Sequence, residues 1–428
     1  MKRKIAKRIA SLFLAALMAM LAVLPASSAA IDKMAEARYP YVFVHGMGGW
    51  GADEGINSVM PYWGATTGAL IPRLIDKGYE CYEASVGPLS SCWDRTCELY
   101  AQMVGGTVDY GEAHAKAHNH ARYGRTYAAP LFEGWGTEDE NGILKKANLI
   151  GHSFGGNTVR LLTELLANGD AQEQKATPAG ELSPLFTGGK ANWVHSVTTL
   201  CTPHNGSTLR YIADGLKLTD LVKTACYLYA GVMGRSLLNG FVDFHLEQFG
   251  LTAVPGEITE TQLTRALRLI LEQTDDSVVT DLAPDGAALL NERIGMEDNL
   301  YYFSYSYQTT HKSLLSDHQV ANANTFLVLI PLADLIGKYA VNTVTDYPID
   351  ESWLPNDGLV SVVSAQKPSD DPWAEFDAAR IVKGSWNVMP TLPGDHGTVI
   401  GLNGDREKTL QFYLDMMQMI EALPKTAS

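Results

Sequence analysis

One octapeptide constrains the fold of this chain more than any other stretch. Residues 149–156 read Leu-Ile-Gly-His-Ser-Phe-Gly-Gly, so that Ser153 stands between Gly151 and Gly155. A short apolar run precedes the motif, and apolar residues at helical spacing follow it up to Gly169. Strand, sharp turn and helix form the context of a nucleophile elbow, which exposes the serine hydroxyl at a helix N-terminus. Without that context, the same pattern is a common glycine-rich turn.

The first thirty residues predict a secretory signal peptide. Basic residues crowd the start, residues 9–24 are almost entirely apolar, and small residues follow up to Ala30, where we expect cleavage. A membrane anchor is the alternative, but the apolar run is short for a span and lacks charged stop-transfer residues. We therefore expect the mature chain to be secreted and to hold no integral membrane segment.

The charge and organisation of the rest narrow the class of protein. The formal charge of the whole chain is −15, and losing the five signal-peptide cations makes it −20, which argues against nucleic acid or anionic membranes as partners. Residues 31–428 contain no low-complexity linker or repeat, so we predict a single α/β domain with a polar, histidine-rich insertion at about 87–127. The five cysteines allow one disulfide but imply no framework.

A glycine-dense loop follows the first predicted strand. Residues 41–44 are apolar and β-branched or aromatic, and residues 45–51 read His-Gly-Met-Gly-Gly-Trp-Gly. In a hydrolase with a nucleophile elbow, such a loop and the residue after the nucleophile donate the two N–H groups of the oxyanion hole. We therefore assign the oxyanion hole to the backbone N–H groups of Met47 and Phe154. The alternative is a structural glycine turn.

A serine nucleophile needs a histidine base and a carboxylate to orient that base. The chain order serine, acid, histidine predicts Ser153, Asp357 and His396. Asp357 lies in a tight polar turn before a strand-like run at 359–363, and His396 lies on a glycine-flanked loop near the C-terminus. Asp395 is a rival acid, but its adjacency to His396 should direct its side chain elsewhere.

Two amphipathic segments between residues 209 and 251 are more apolar than a surface helix needs. They predict either core packing or a lid, at about residues 205–251, that opens toward lipid.

A histidine cluster predicts a metal site. His114, His118 and His120 share one loop, and Asp94 lies upstream. The alternative is an ordinary solvated surface, because this spacing is not a standard zinc pattern. If a metal is bound, imidazole with carboxylate favours zinc, and four protein ligands would make it structural.

Several stretches together carry a family pattern: residues 86–91, 93–95, 105–111, 124–127, 196–199, 202–204, 353–354 and 356–358. Over about residues 39–423 the chain resembles the bacterial true lipases of the thermostable, zinc-containing Geobacillus type, relatives of the staphylococcal lipases. The resemblance implies an α/β-hydrolase fold, a mostly parallel central sheet flanked by helices, with a zinc-binding insertion and a helical lid. It implies the same catalytic residues, Ser153, Asp357 and His396.

The resemblance also implies a ligand set for structural zinc. Its two aspartates and two histidines fall on Asp94, His114, His120 and Asp281, whereas His118 falls on a position that is not a ligand. Two departures concern calcium. Where the family carries a glutamate and an Asp-Pro that help bind Ca2+, this chain has Thr398 and Asn403-Gly404, and losing two carboxylates should weaken such a site.

These features predict a secreted carboxylic-ester hydrolase, a triacylglycerol lipase working on lipid at an oil–water interface. The alternative within the same chemistry is a broad-specificity esterase or polyester hydrolase, and the lid region separates the two. A third hypothesis, from another class, is a noncatalytic, zinc-stabilised binding protein on a hydrolase scaffold.

Overall fold

The computed structural model describes residues 38–215, 243–251, 259–339 and 348–425. The predicted signal peptide lies outside these ranges, as do residues 216–242 of the predicted lid and Cys226. Among the residues described, no helix is both long enough and apolar enough to cross a membrane.

A parallel sheet forms the centre of the molecule. Its seven strands are β1 (Tyr41–Val44), β2 (Cys81–Ala84), β5 (Ala147–His152), β6 (Val194–Leu200), β7 (Tyr301–Tyr305), β11 (Trp373–Glu375) and β12 (Trp386–Val388). Their order across the sheet is β11-β12-β7-β6-β5-β1-β2, and every pairing is parallel. The smaller pairs involve β3 (Gly106–Asp109), β4 (Tyr123–Tyr127), β8 (Tyr307–Gln308), β9 (Thr310–Lys312), β10 (Gln319–Ala321) and β13 (Leu392–Pro393).

Helices cover both faces of the sheet. In chain order, those described are α1 (Leu70–Ile75), α2 (Cys92–Val104), α3 (Glu112–His118), α4 (Phe154–Asn168), α5 (Ala171–Ala176), α6 (Leu209–Gly215), α7 (Thr259–Glu272), α8 (Val278–Asp281), α9 (Pro284–Arg293), α10 (Ile330–Ile336), α11 (Val362–Gln366) and α12 (Arg406–Glu421). Helix α4 ends at Asn168, where a glycine at positive φ follows, as the sequence predicts.

Side chains along the central strands point alternately to the two faces of the sheet, so that each face has its own apolar core. In β1, Val42 and Val44 belong to the core on one face, whereas Tyr41 and Phe43 belong to the core on the other. A strand buried on both faces requires a continuous apolar run, which is what residues 41–44 supply. Because β1, β5 and β6 are parallel neighbours, the loops that follow them lie together at the carboxyl edge of the sheet.

One local prediction is wrong. Residues 359–363 are strand-like in sequence, but the structure has a tight turn there that leads into α11. The Asp357 carboxylate accepts the N–H groups of Leu359 and Val360, and the Val362 N–H donates to the carbonyl of Pro355 at 2.8 Å. These bonds satisfy the backbone within the turn, so β-branched propensity loses to local hydrogen bonding.

Candidate active site and metal centre

Ser153 lies on a strained turn between β5 and α4. Its φ is +54°, a conformation that is uncommon for a residue other than glycine. A Cβ on Gly151 would lie 2.4 Å from the carbonyl oxygen of Gly155, and a Cβ on Gly155 would lie 2.2 Å from that of Val44. Both glycines are therefore required by close backbone approach, and the serine stands at the N-terminus of α4.

The structure brings Asp357 and His396 into direct contact. The imidazole Nδ1 lies 2.8 Å from Asp357 Oδ2, and the His396 backbone N–H donates to the Asp357 carbonyl at 2.8 Å. Asp357 is fully buried and His396 is 6% exposed. Because Nδ1 donates to the carboxylate, the lone pair of the neutral imidazole is on Nε2. The rival acid, Asp395, instead accepts backbone N–H groups from Phe326 and Gly397.

A relay connects the loop after β1 with the histidine loop. The N–H of Gly46 donates to the Tyr62 hydroxyl at 2.9 Å, and that hydroxyl lies 2.6 Å from His152 Nδ1. His152 Nε2 lies 3.0 Å from the carbonyl oxygen of His396, so the geometry makes Nε2 the protonated nitrogen. Burial lowers the pKa of His152 well below its ordinary value, which keeps this ring neutral. His152, the neighbour of Ser153 in sequence, thus links the loop that carries His396 to the turn after β5.

The proposed oxyanion residues lie on either side of the serine. A Cβ on Gly46 would lie 2.7 Å from the Cβ of Ser153, so the loop carrying Met47 passes directly over the nucleophile. The Gly49 N–H donates to the Gly46 carbonyl at 3.1 Å and closes a turn around Met47. Phe154 is the first residue of α4, where an N–H has no acceptor within the helix.

A buried arginine that the sequence did not single out holds this region together. Arg95 is fully buried, and its guanidinium donates to the carbonyls of His45 and Gly87 and to the Thr158 hydroxyl. Its carbon Cζ lies 5.4 Å from the centre of the Phe154 ring. Burial lowers the pKa of Arg95 to about 10, so the group stays charged at neutral pH and adds positive potential beside Phe154.

Four side chains converge on one point, three from the predicted insertion and one from the turn before α8: Asp94, His114, His120 and Asp276. His114 Nε2 lies 3.2 Å from Asp94 Oδ1 and 3.2 Å from Asp276 Oδ2, and His120 Nε2 lies 3.4 Å from Asp276 Oδ2. Ligands at tetrahedral angles around zinc lie about 3.3 Å apart. The donor set therefore has the spacing that zinc requires.

Two atoms of this group are buried without a hydrogen-bond partner: Asp94 Oδ1 and His120 Nε2. His120 Nδ1 lies 2.8 Å from the Ala121 carbonyl oxygen, which fixes the proton on Nδ1 and leaves a lone pair on Nε2. Two orphaned acceptors that face each other are costly. Two carboxylates and two neutral imidazoles would balance the charge of a divalent cation, so these residues fit zinc.

The structure corrects one predicted ligand. Asp281 is not in the group, and its Oδ2 instead accepts the Cys92 N–H at 2.7 Å. It therefore caps the first turn of α2, where a carboxylate is favoured by the helix dipole. Asp276, five positions earlier, occupies the fourth corner. His118 also lies outside the group and faces Asp275 at 3.1 Å, as expected for a non-ligand.

The described end of the predicted lid packs as core. In residues 243–251, Leu246 is 2% exposed and Phe244 and Phe249 pack against the apolar core. Gln248 Nε2 donates to Asp94 Oδ2 at 2.7 Å, so this segment also orients a predicted metal ligand. The core-packing alternative is therefore right for these residues, while residues 216–242 lie outside the described ranges.

The same segment is fixed by a buried ionic cluster. The His245 ring lies between Glu54, 2.9 Å from Nε2, and Glu98, 3.3 Å from Nδ1. Burial alone would lower the pKa of His245, but the two carboxylates raise it to about 9. Arg125 pairs with Asp243 at 3.1 Å on the adjoining turn. These ion pairs link the chain after residue 242 to Glu54, just after the glycine-rich loop, and to Glu98 in α2.

Thr398 and Asn403 stand where the lipase family carries residues that help bind Ca2+, and their contacts do not fit that ion. Thr398 Oγ1 donates to Asp395 Oδ1 at 3.0 Å, and Asn403 Nδ2 donates both to Asp395 Oδ2 at 2.6 Å and to the Asn324 carbonyl at 3.1 Å. Calcium requires six to eight oxygen ligands, whereas here neutral N–H and O–H donors already satisfy the only carboxylate of the three side chains. The Asn403 side-chain amide thus makes the connection between Asp395 and Asn324 that a bound cation would otherwise make.

We expect millimolar Ca2+ to change neither the melting temperature nor the initial rate of the zinc-loaded protein relative to Mg2+. The reason is that Ca2+ would have to displace the Asn403 amide from Asp395. Thermal melts and rate assays with the two ions check this. Asn403→Asp is the informative control, because its added carboxylate should lower stability and make it respond to Ca2+. Specific stabilisation of the unmodified protein by Ca2+ would contradict the expectation.

The free thiols are also defined. Cys81, Cys92, Cys97 and Cys201 are all buried and unpaired with one another, so the disulfide that the composition allows does not form within the described ranges.

Comparisons with known proteins identify the family. The chain is 36% identical to Lipase 1 of Staphylococcus aureus over 365 residues, which are 85% of this chain but 50% of that protein, so it spans about half the length of this curated relative. Among solved structures, EstA from Clostridium botulinum superposes with a TM-score of 0.82 at 38% identity, covering 91% of this chain and 89% of that one. Lipase 1 from Pelosinus fermentans superposes with a TM-score of 0.78 at 39% identity, covering 90% and 99%.

These relatives share the parallel sheet with helices on both faces, so the predicted α/β-hydrolase fold is confirmed. The model of the lipase-like C-terminal domain matches residues 37–423, which are nearly all of the described chain. The chain therefore belongs to the lipase-like C-terminal domain family, among the bacterial lipases related to those of the staphylococci.

Proposed function

We propose that this protein is a serine carboxylic-ester hydrolase, and specifically a triacylglycerol lipase. One observation carries the proposal: Ser153, with φ at +54°, lies on a glycine-enforced elbow, and its neighbour His152 bonds to the carbonyl of His396, whose ring pairs with the buried Asp357 at 2.8 Å. The relatives named lipase support the substrate class. A noncatalytic protein would gain nothing from a strained serine and from a histidine held by a buried carboxylate.

The reaction starts with the serine. Ser153 Oγ attacks the ester carbonyl carbon while His396 Nε2 takes the hydroxyl proton, and Asp357 stabilises the resulting imidazolium. The backbone N–H groups of Met47 and Phe154 receive the developing oxyanion, and each such donor contributes about 3 kcal/mol to transition-state stabilisation. The intermediate collapses as the imidazolium protonates the leaving alcohol, which leaves the acyl group on Ser153.

Deacylation uses the same groups in reverse. His396 Nε2 accepts a proton from water, the hydroxide adds to the acyl carbonyl, and the second oxyanion occupies the same two N–H groups. Collapse returns the proton to Ser153 Oγ and releases the fatty acid. The base must be neutral for both halves, because only the neutral imidazole has a lone pair on Nε2 that can accept the proton.

The metal has a structural role in this proposal. Asp94, His114, His120 and Asp276 would hold zinc, which would supply a fixed positive charge linking α2, the loop around α3 and the turn before α8. Four protein ligands leave no open position for substrate, so we assign it no step in catalysis. The N-terminal sequence further supports secretion, with lipid at an oil–water interface as the partner.

Interfacial behaviour separates a lipase from a broad esterase. We expect the rate with tributyrin to jump, by several-fold or more, when the substrate passes its solubility limit, because a lid that covers the site in water opens at an apolar surface. Rate measurements across that limit check this, with a water-soluble nitrophenyl ester as the control that should saturate smoothly. A smooth saturating profile for both substrates would favour the broad-specificity esterase or polyester hydrolase.

A further inference from the structure

Two adjacent leucines at the tip of a hairpin lie fully in water. The hairpin joins β9 to β10, which pair antiparallel, and the six residues of its tip, 313–318, read Ser-Leu-Leu-Ser-Asp-His. Leu314 is 100% exposed and Leu315 is 97% exposed, more than any other large apolar side chain in the described ranges. Single exposed leucines are ordinary on a protein surface, but an adjacent pair that protrudes this far forgoes the whole benefit of burial.

The tip is an ordered turn. The Ser313 N–H donates to the His318 carbonyl at 2.9 Å, and the Leu315 N–H donates to Ser313 Oγ at 3.2 Å. Beside these bonds, Lys312 Nζ lies 3.0 Å from Asp317 Oδ1. The polar groups of the turn therefore bond to one another, while its two apolar side chains remain in water.

The hairpin extends from the same edge of the sheet as the proposed catalytic residues. Strand β8 continues beyond the carboxyl end of β7 and leads into β9. Before the hairpin, the Thr309 N–H donates at 2.9 Å to the carbonyl of Asn356, which precedes the proposed catalytic acid. After it, the Phe326 N–H donates at 2.8 Å to Asp395, which precedes the proposed catalytic histidine. A surface that held the tip would therefore lie close to the active site.

The chemistry of the tip fits an uncharged lipid surface. A stable protein–protein interface takes about 800 Å² from each partner, which is several times what two leucine side chains offer. A lipid phase requires no complementary shape, and binding to it strengthens with each apolar group that it buries. The Lys312–Asp317 pair balances the charge beside the leucines, and the formal charge of −15 on the whole chain disfavours anionic headgroups.

We propose that Leu314 and Leu315 form an anchor that inserts into uncharged lipid and holds the catalytic edge of the sheet against the oil–water interface. The proposal rests on the proposed lipase function, for which it names a docking surface. Leu327 and Val328 are exposed on the loop between the hairpin and α10, and they extend this surface toward the active site. The anchor lies outside the predicted lid at about residues 205–251, so anchoring and lid opening are separate steps.

Vesicles of ether-linked phosphatidylcholine test the anchor, because they carry no net charge and contain no ester to hydrolyse. Cosedimentation gives the partition coefficients of the unmodified protein, the double variant Leu314→Ser/Leu315→Ser and Ile75→Ser. Each leucine should contribute about threefold to tenfold, so the double variant should bind about tenfold to a hundredfold more weakly. Ile75 is 51% exposed at the end of α1, shortly before β2 begins at the opposite edge of the sheet. Ile75→Ser should therefore bind like the unmodified protein.

Further readouts separate insertion from damage to the fold. The double variant should keep its melting temperature, because neither leucine is buried in the fold. Leu315→Trp adds an indole at the tip, and phosphatidylcholine with brominated chains should quench the fluorescence that this residue adds. On tributyrin droplets, the interfacial area that gives half the maximal rate should rise in the double variant by the factor by which its binding falls.

The proposal would be overturned by no vesicle binding of the unmodified protein, by equal binding of the double variant, by an equal loss in Ile75→Ser, or by unquenched fluorescence in Leu315→Trp. A dimer of the unmodified protein that the double variant cannot form, seen by sedimentation, would also overturn it, because the leucines would then bind a second copy of the chain. Failure of the proposed function has another signature: the protein would bind the ether lipid through its tip and yet hydrolyse no ester.

Discussion

Replacing Ser153 by alanine should lower kcat for nitrophenyl ester hydrolysis by at least about 10⁴-fold. The variant keeps the oxyanion groups and the Asp357–His396 pair but has no atom that can form the acyl-enzyme. Since Ser153 is half-buried at a strained position, with φ at +54°, alanine fits the same backbone, and we expect a similar melting temperature. Initial rates measured against enzyme concentration give the ratio directly.

A hydroxyl elsewhere provides the control. Ser58 is exposed, bonding only to the nearby Gly55 carbonyl, so Ser58→Ala should retain full activity. A serine-directed phosphonate should add one equivalent of mass to the unmodified protein and none to Ser153→Ala. Activity retained without Ser153 would remove the assignment, and an unmodified protein that shows neither adduct nor ester hydrolysis would revive the noncatalytic hypothesis.

The second large effect concerns the metal. We expect Asp276→Asn to lose its zinc and to melt on the order of 5–10 °C lower, because one charged ligand disappears and two orphaned acceptors remain buried. Asp281→Asn is the matched control. Its amide oxygen can still accept the Cys92 N–H, so this variant should keep one zinc per chain. Elemental analysis and thermal melts of the two variants check both statements.

Chelation of the unmodified protein should reproduce the Asp276→Asn result. It should lower the melting temperature by a similar amount while changing the initial rate much less, since no catalytic step uses the ion. Loss of zinc from Asp281→Asn alone would restore the original ligand assignment, and equal zinc content in the two variants would contradict the choice of Asp276 over Asp281. Absence of zinc in freshly purified protein would contradict the proposed zinc site.

The fold was predictable, and the proposed catalytic residues could be chosen from the sequence, because their signals are local. The elbow around Ser153 is specified within residues 147–169 by an apolar strand, two glycines at fixed offsets and a helix that ends at a glycine. The acid and the histidine each lie in a turn whose composition marks it. The strand prediction for residues 359–363 was wrong because β-propensity takes no account of side-chain hydrogen bonds. Here the Asp357 carboxylate accepts backbone N–H groups and stabilises a turn instead.

The remaining residues depend on contacts between distant parts of the chain. Thr-Asp occurs at 274–275 and again at 280–281, and only the fold determines that Asp276 reaches the histidines while Asp281 caps a helix. Arg95 carries no motif of its own, because its role is set by partners up to 63 residues away in the chain.

The guanidinium of Arg95 has a consequence for how this protein unfolds. Its acceptors come from the loop after β1, the loop before α2 and the middle of α4, so opening any one of them would leave a buried cation short of partners. Such partial opening is costly, which should suppress local fluctuations of the glycine-rich loop despite its composition. Unfolding of the glycine-rich loop and unfolding of this edge of the sheet should therefore be one cooperative event.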